Sequence, residues 1–233
     1  MLGEALSYPR DDEDLVRPFL IGSVLLLVSF VIGLTIIPLY GYLLRVLDDG
    51  RTGERGLPAF DDWEAIIIDG LKVFVVNLIY TGIPSIVLSV VGGFVFFVVA
   101  VSGFAVAGPG EGGGGAGAFV LLVLLVGGLV ALVAFLLVLV ATLMLPAALA
   151  RMYVHDDFTA ALDVREVFGV AKNGDYLVAV LLAFVVGFGF SLVGGLLSIV
   201  LVGVPILLYG FMVVFHLYGQ GYARAVESME GGA

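Results

Sequence analysis

The sequence predicts an all-α, polytopic transmembrane helical bundle, and three observations carry that prediction. The chain is 61% hydrophobic and only 13% charged, against roughly 45–50% and about 25% in soluble domains. Its mean hydropathy is +1.20. Its Asp, Glu, Lys and Arg are absent from residues 18–44, 73–110, 112–150 and 176–223. A crossing needs about 20 apolar residues, so each of the first three runs holds a helix and the fourth holds two, divided near "LVGVP" at 201–205.

In chain order, residues 1–17 form a polar segment with no basic leader or small-residue cleavage site, so the first apolar run is read as retained. Repeat unit 1 covers 18–107, with spans over 18–47 and 72–107 and an elbow helix over 58–71. A glycine-rich loop follows at 108–117. Repeat unit 2 covers 118–226, with spans over 118–150, 176–202 and 205–226 and an elbow over 157–173; residues 227–233 are a tail.

Five spans are the preferred count. The alternative is six, with 18–44 folded as a short hairpin bent near Gly33 or Pro38. At 1.5 Å per residue that run reaches roughly 40 Å, generous for one tilted helix and cramped for two.

Cations mark the cytoplasmic side of short loops. Arg45, Arg51, Arg55 and Lys72 flank the first connection, and Arg151, Arg165 and Lys172 the third, whereas the glycine loop carries only Glu111. Both flanked connections and the C-terminus, marked by Arg224, are therefore expected inside, in the cytoplasm of a cell whose membrane the chain crosses, with the glycine loop outside.

A shift of 102 residues sets "SVVGGF" (89–94) on "SLVGGL" (191–196), Asp61 on Asp163, Glu64 on Glu166 and Phe74 on Tyr176. This predicts a parallel internal repeat, because both inner connections face the same side. In the first copy, "LPAFDDWEAIIIDGLKVF" (57–74), Asp61 is expected to cap a helix with Glu64 reaching back as in a capping box. Trp63, Ile66, Ile67, Leu71 and Phe74 share its apolar face. Trp63 is the candidate headgroup anchor, with Arg45 and Arg151 beside it. The second copy opens on aspartates and is expected to end at an Asn173–Gly174 C-cap. The competing reading makes each elbow the capped start of the next span.

Two small-residue triplets, Ser85–Ser89–Gly93 and Gly187–Ser191–Gly195, repeat every four residues and are the candidate helix-packing positions. The paired Gly194–Gly195 points to Gly195 as a tighter contact than Gly187.

Catalytic and metal signals are weak. No cysteine occurs, so neither a disulfide nor a thiolate site can form. Within the charge-free runs only His216 is ionisable near neutral pH, and it reads as packed or interfacial. "YVHDDF" (153–158) holds three adjacent ligand types that cannot all face one ion. The glycine loop lacks the lysine of a phosphate-binding loop. No catalytic, cofactor-binding or metal site is expected, and no enzyme activity.

The net charge of −10 and the absence of a basic patch exclude nucleic acid as a partner. Such an acidic surface is best screened at high salt, which points to a salt-rich cytoplasm as in halophilic archaea. The expected partners are the lipid bilayer and, in the membrane, a second copy or another membrane protein.

"GEALSYP" (3–9), "LIGSVLLL" (20–27), "GYLLRVL" (41–47) and "LPAFDDWEAIIIDGLK" (57–72) resemble an archaeal and bacterial membrane family, domain of unknown function 4013. The resemblance implies a multi-pass protein and supplies no activity or site residue. The expected function is a non-enzymatic scaffold or accessory subunit at the inner leaflet. The alternative is a small-solute or lipid transporter with its path at the repeat interface, which a polar cavity lined by Asn77, Tyr80 or His216 would favour.

Overall fold

A computed structural model describes residues 1–10, 15–106 and 113–231, and among these every regular element is helical. Four helical stretches are long and apolar enough to cross a membrane: Trp63–Val101, Leu121–His155, Gly174–Leu197 and Gly203–Glu230. The chain is an all-α helical bundle built from two compact units, residues 1–76 with 143–233, and residues 77–142.

The first unit is organised around α9 (Gly203–Glu230), whose buried residues run from Gly203 to Ala225. The helix α3 (Ile36–Thr52) lies along it in parallel. Leu39, Tyr42, Leu43 and Val46 share a core with Val204, Leu208 and Met212, and the two helices cross farther along at Gly50 and Gly219. At that crossing, a Cβ on Gly50 would lie 2.2 Å from the His216 carbonyl oxygen, and one on Gly219 1.9 Å from that of Leu47. Lipid tails are as apolar as leucine, so helices associate in a bilayer through such close backbone packing. On the other side, α8 (Gly174–Leu197) runs antiparallel to α9, with Ala179 against Gly221, Phe190 against Gly210 and Gly194 against Gly203.

The start of α4 (Trp63–Asn77) crosses α3 by a second reciprocal contact. Gly41 meets the Ile66 carbonyl and Gly70 that of Ile37, each 1.9 Å from a built Cβ.

The run expected as a single span over 18–47 is divided. It forms α2 (Val16–Ser29), a turn through Phe30–Thr35, and α3; the Thr35 hydroxyl reaches the Leu25 carbonyl at 3.5 Å. Gly33 opens the 3-10 turn of this bend, and the Thr35 hydroxyl donates to the Ile32 carbonyl. The short helix α1 (Leu2–Ser7) packs Ala5 against Ala183, Val213 and Leu217. Residues 1–8 thus lie beside the middle of α9, with Tyr209, Val213, His216, Leu217 and Gln220 as neighbours.

The first expected elbow is not a separate helix. From Trp63 the chain passes through α4, a π-helical turn at Leu78–Gly82 and α5 (Ile83–Val106) without a break. Pro84 cannot donate to the carbonyl four residues back, and the wider π turn absorbs that loss, with the Thr81 hydroxyl donating to both oxygens of Asn77.

The second elbow does stand alone, as a 3-10 turn at Phe158–Leu162 followed by α7 (Val164–Ala171). The difference lies in two residues. Asn173 adopts an extended conformation and its side chain caps α8 through the Asp175 N–H, so Asn173–Gly174 starts a helix where a C-cap was expected. At the equivalent positions the first copy has Leu71 and Lys72, which continue a helix.

In the second unit, α5 and the upper part of α6 (Gly113–His155) present mostly exposed apolar side chains, including Phe94, Phe96, Phe97, Leu125 and Leu129, while Gly127 packs on Val95. Residues 108–112 of the expected glycine loop at 108–117 lie outside the described residues; the backbone is helical from Gly113.

The lower part of α6 contains Pro146. Across it, the Tyr176 hydroxyl accepts from the Ala147 N–H at 3.0 Å and donates to the Leu143 carbonyl at 2.8 Å. The hydroxyl thus bridges two backbone groups four residues apart beside the proline, whose missing N–H leaves the helix one bond short.

Candidate functional site

Residues distant in sequence assemble a polar nest among α1, the end of α3 and α9. His216 and Gln220 sit one turn apart on α9 and are 3% and 8% exposed. The Gln220 amide nitrogen donates to Glu4 at 3.0 Å and lies 3.3 Å from His216 Nε2. Because that nitrogen is the donor, His216 Nε2 is the acceptor and the ring proton is assigned to Nδ1. The Tyr8 ring stacks on His216 with centroids 4.2 Å apart, and its hydroxyl donates to Asp49 at 2.5 Å. The Tyr209 hydroxyl donates to the Leu6 carbonyl, and the Met1 amino group lies 3.8 Å from Glu4. His216 Nδ1 and Gln220 Oε1 are buried without a hydrogen-bond partner among the described residues. Beside them, a cavity of about 370 Å3 is lined by Glu4, Tyr8, Glu54, Arg55 and His216.

Burial raises the Asp49 carboxyl to about 6; the Tyr8 hydrogen bond pulls the other way, while Glu54 and Asp48 raise it further. A pKa raised in the fold contributes stability that is full below the unfolded value of 3.8 and is lost as pH rises through about 6. Tyr8→Phe removes the one hydrogen bond that favours the carboxylate. Its expected result is an Asp49 midpoint above that of the parent chain, read by carboxyl carbon NMR over pH 4–8. An unchanged or lower midpoint would contradict the contact.

Of the residues singled out from sequence, His216 belongs to this nest; Glu4, Tyr8, Asp49 and Gln220 were not anticipated. Arg45 reaches the Ala59 carbonyl at 3.5 Å and Asp61 at 3.9 Å, and Arg151 reaches Glu166 at 3.8 Å. Each arginine is mostly buried and ties its helix to the connection that follows. Trp63, 41% exposed, is the first residue of α4, tilted against Phe60. The cap is Asp62, which accepts from the Ala65 N–H, whereas Asp61 accepts from the Asp62 N–H and pairs with Arg45. In the second copy Asp163 does cap, accepting from Glu166.

Within the chain, the packing candidates divide into those that meet a neighbouring helix and those that do not. A Cβ on Gly93 or Gly195 meets nothing within 4 Å, whereas one on Gly187 meets Val214 at 3.0 Å. Ser191 is exposed, and the Ser89 hydroxyl bonds back to the Ser85 carbonyl of its own helix. The tight glycine of the Gly194–Gly195 pair is Gly194, against Leu207 and the Gly203 carbonyl. Gly187 and Gly194, seven residues apart, share the face that meets α9; Gly195 is rotated about 100° from it.

Lys72 and Asp156 approach to 3.6 Å, and the Asn173 amide donates to Ser228 at 2.6 Å. The first connection, the third connection and the C-terminal turn of α9 therefore gather at one end of this unit. Apolar spanning helices, polar residues collected at a shared end and glycine-mediated packing define a multi-pass helical membrane protein.

A family model described as protein of unknown function (DUF4013) matches residues 23–199, and the chain belongs to that family. No curated protein and no solved structure matches it.

Proposed function

We propose that the chain is a non-enzymatic scaffold or accessory subunit of the cell membrane, with its C-terminus in the cytoplasm and its third connection on the inner leaflet. The observation that carries this reading is the setting of α7. Val167, Val170 and Ala171 are buried against the bundle, while Leu162, Val164 and Phe168 are 40%, 60% and 50% exposed. The Arg151–Glu166 and Asn173–Ser228 contacts hold the segment at both ends. A short helix docked on the bundle that exposes Leu162, Val164 and Phe168 beside the charged Arg165, Glu166 and Lys172 suits the interface of a bilayer, and a copy of this chain or another membrane protein is its proposed partner there. The acidic balance fits a salt-rich cytoplasm, as in halophilic archaea.

The polar cavity beside His216 favours a second reading, a transporter, because buried ionisable groups in membrane helices commonly mark pathways. Spin labels on Thr52→Cys and Lys172→Cys, both exposed positions in a chain without cysteine, separate the two. For a scaffold in lipid nanodiscs, the expected result is one distance distribution, unchanged between pH 5 and pH 8. Two populations that exchange with pH would overturn the scaffold in favour of transport.

A further inference from the structure

An open-sided apolar groove runs along α8 and α9 beneath the N-terminal helix; Leu6 and Tyr209 line it and do not line the cavity beside His216. Its first compartment, about 620 Å3, lies among Leu6, Arg10, Phe19, Phe190, Ile206 and Tyr209. A second, about 390 Å3, shares Leu6, Phe190 and Ile206 and continues past Gly189 and Val193. The two are one channel in the surface. Phe188, Leu192 and Val193, next to it on α8, are all more than half exposed, so it opens on an apolar face.

Two features say what fills it. Gly3 and Gly189 line it, and a Cβ built on either meets nothing within 4 Å. The groove therefore holds real space that the protein's own side chains leave unused, and apolar space bordering a bilayer takes acyl chain. At one end, the Arg10 guanidinium lies over the Tyr209 ring at 5.9 Å and has no carboxylate partner among the described residues. A planar guanidinium matches phosphate oxygens in a bidentate way. We propose that this groove binds one phospholipid of the surrounding bilayer, an acyl chain lying along Phe190 to Gly189 and the phosphate against Arg10.

The test is native mass spectrometry of the purified chain with phosphatidylglycerol, compared with a diacylglycerol of the same chains. The parent protein is expected to retain one phosphatidylglycerol and to hold diacylglycerol more weakly. Gly189→Leu fills the second compartment, and Gly3→Leu the first, without striking the protein. Each is expected to abolish retention while melting temperature and helical content stay at parent values. Arg10→Gln is expected to weaken phosphatidylglycerol about two- to fivefold and leave diacylglycerol unchanged. Gly93→Leu, an open glycine outside the groove, should have no effect. Retention that survives both groove-filling variants, equal retention of the two lipids by the parent chain, or equal loss in Gly93→Leu would overturn the proposal.

Discussion

Gly219→Ala is expected to be among the most damaging additions of a single methyl group to the described residues. Its Cβ would fall 1.9 Å from the Leu47 carbonyl oxygen, 2.7 Å from the Arg51 nitrogen and 3.0 Å from the Gly50 carbonyl carbon. Overpacking against side chains costs about 1–3 kcal/mol because rotamers adjust. Here every obstacle is helix backbone in the last two turns of α3, so α3 and α9 must separate and their shared core must loosen. A loss at or above about 3 kcal/mol is expected, read as thermal or denaturant unfolding in mild detergent. Gly50→Ala acts at the same crossing. The double variant should cost less than the sum, because the first methyl already holds the helices apart. Gly195→Ala is the control: nothing lies within 4 Å of its Cβ, and replacing glycine inside a helix gains roughly 0.5–1 kcal/mol. Equal stability of Gly219→Ala and Gly195→Ala would refute the crossing.

Tyr176→Phe is expected to cost about 2–4 kcal/mol, although the ring and its packing are kept. Tyr176 is fully buried, and its hydroxyl serves two backbone groups of α6 at once. Removing it takes one hydrogen-bond partner from each of the Ala147 N–H and the Leu143 carbonyl, at about 1–3 kcal/mol for each group left unsatisfied. A local readout accompanies the stability change: exchange of the Ala147 amide hydrogen should accelerate beyond that of neighbouring amides. If stability and Ala147 protection both stay at parent values, the helix has simply closed its own 147-to-143 bond, and the bridging role is wrong.

What the sequence disclosed, and what it hid, follows from the range of each interaction. Charge-free runs announce helices because solvation acts residue by residue, and Asn173–Gly174 announces a break because its conformation is local. The role of that break was misassigned, since a residue that can end one helix can equally cap the next when only Lys172 and Asn173 separate them. The bend at Phe30–Thr35 left little trace: its residues are apolar, and only Gly33 hinted at it. Contacts between helices were the least legible. Gly187 and Gly195 look alike in a sequence window, yet only one faces α9, and the register that decides it is set by packing. The polar nest joins Glu4 to Gln220 and Tyr8 to Asp49, pairs that no local pattern connects. His216 was visible as an isolated ionisable residue in an apolar run; its surroundings were not.

The parallel pairing of α3 with α9 also constrains how the protein is made. Roughly 150 residues separate the end of the one from the start of the other. At about 5–20 residues per second on the ribosome, α3 waits some 8–30 s for its partner. During that interval Leu39, Tyr42, Leu43 and Val46 have no α9 to pack on, and Gly41 and Gly50 leave bare backbone on two sides of one helix. The α3–α4 crossing forms early and occupies only the first of these sides. Membrane insertion is thus a two-stage assembly in which the earliest helices are held in a provisional arrangement, and the nascent chain is most exposed to quality-control proteases just before translation of α9 completes. Slowing synthesis between α8 and α9 would prolong that window without altering a single contact in the finished molecule.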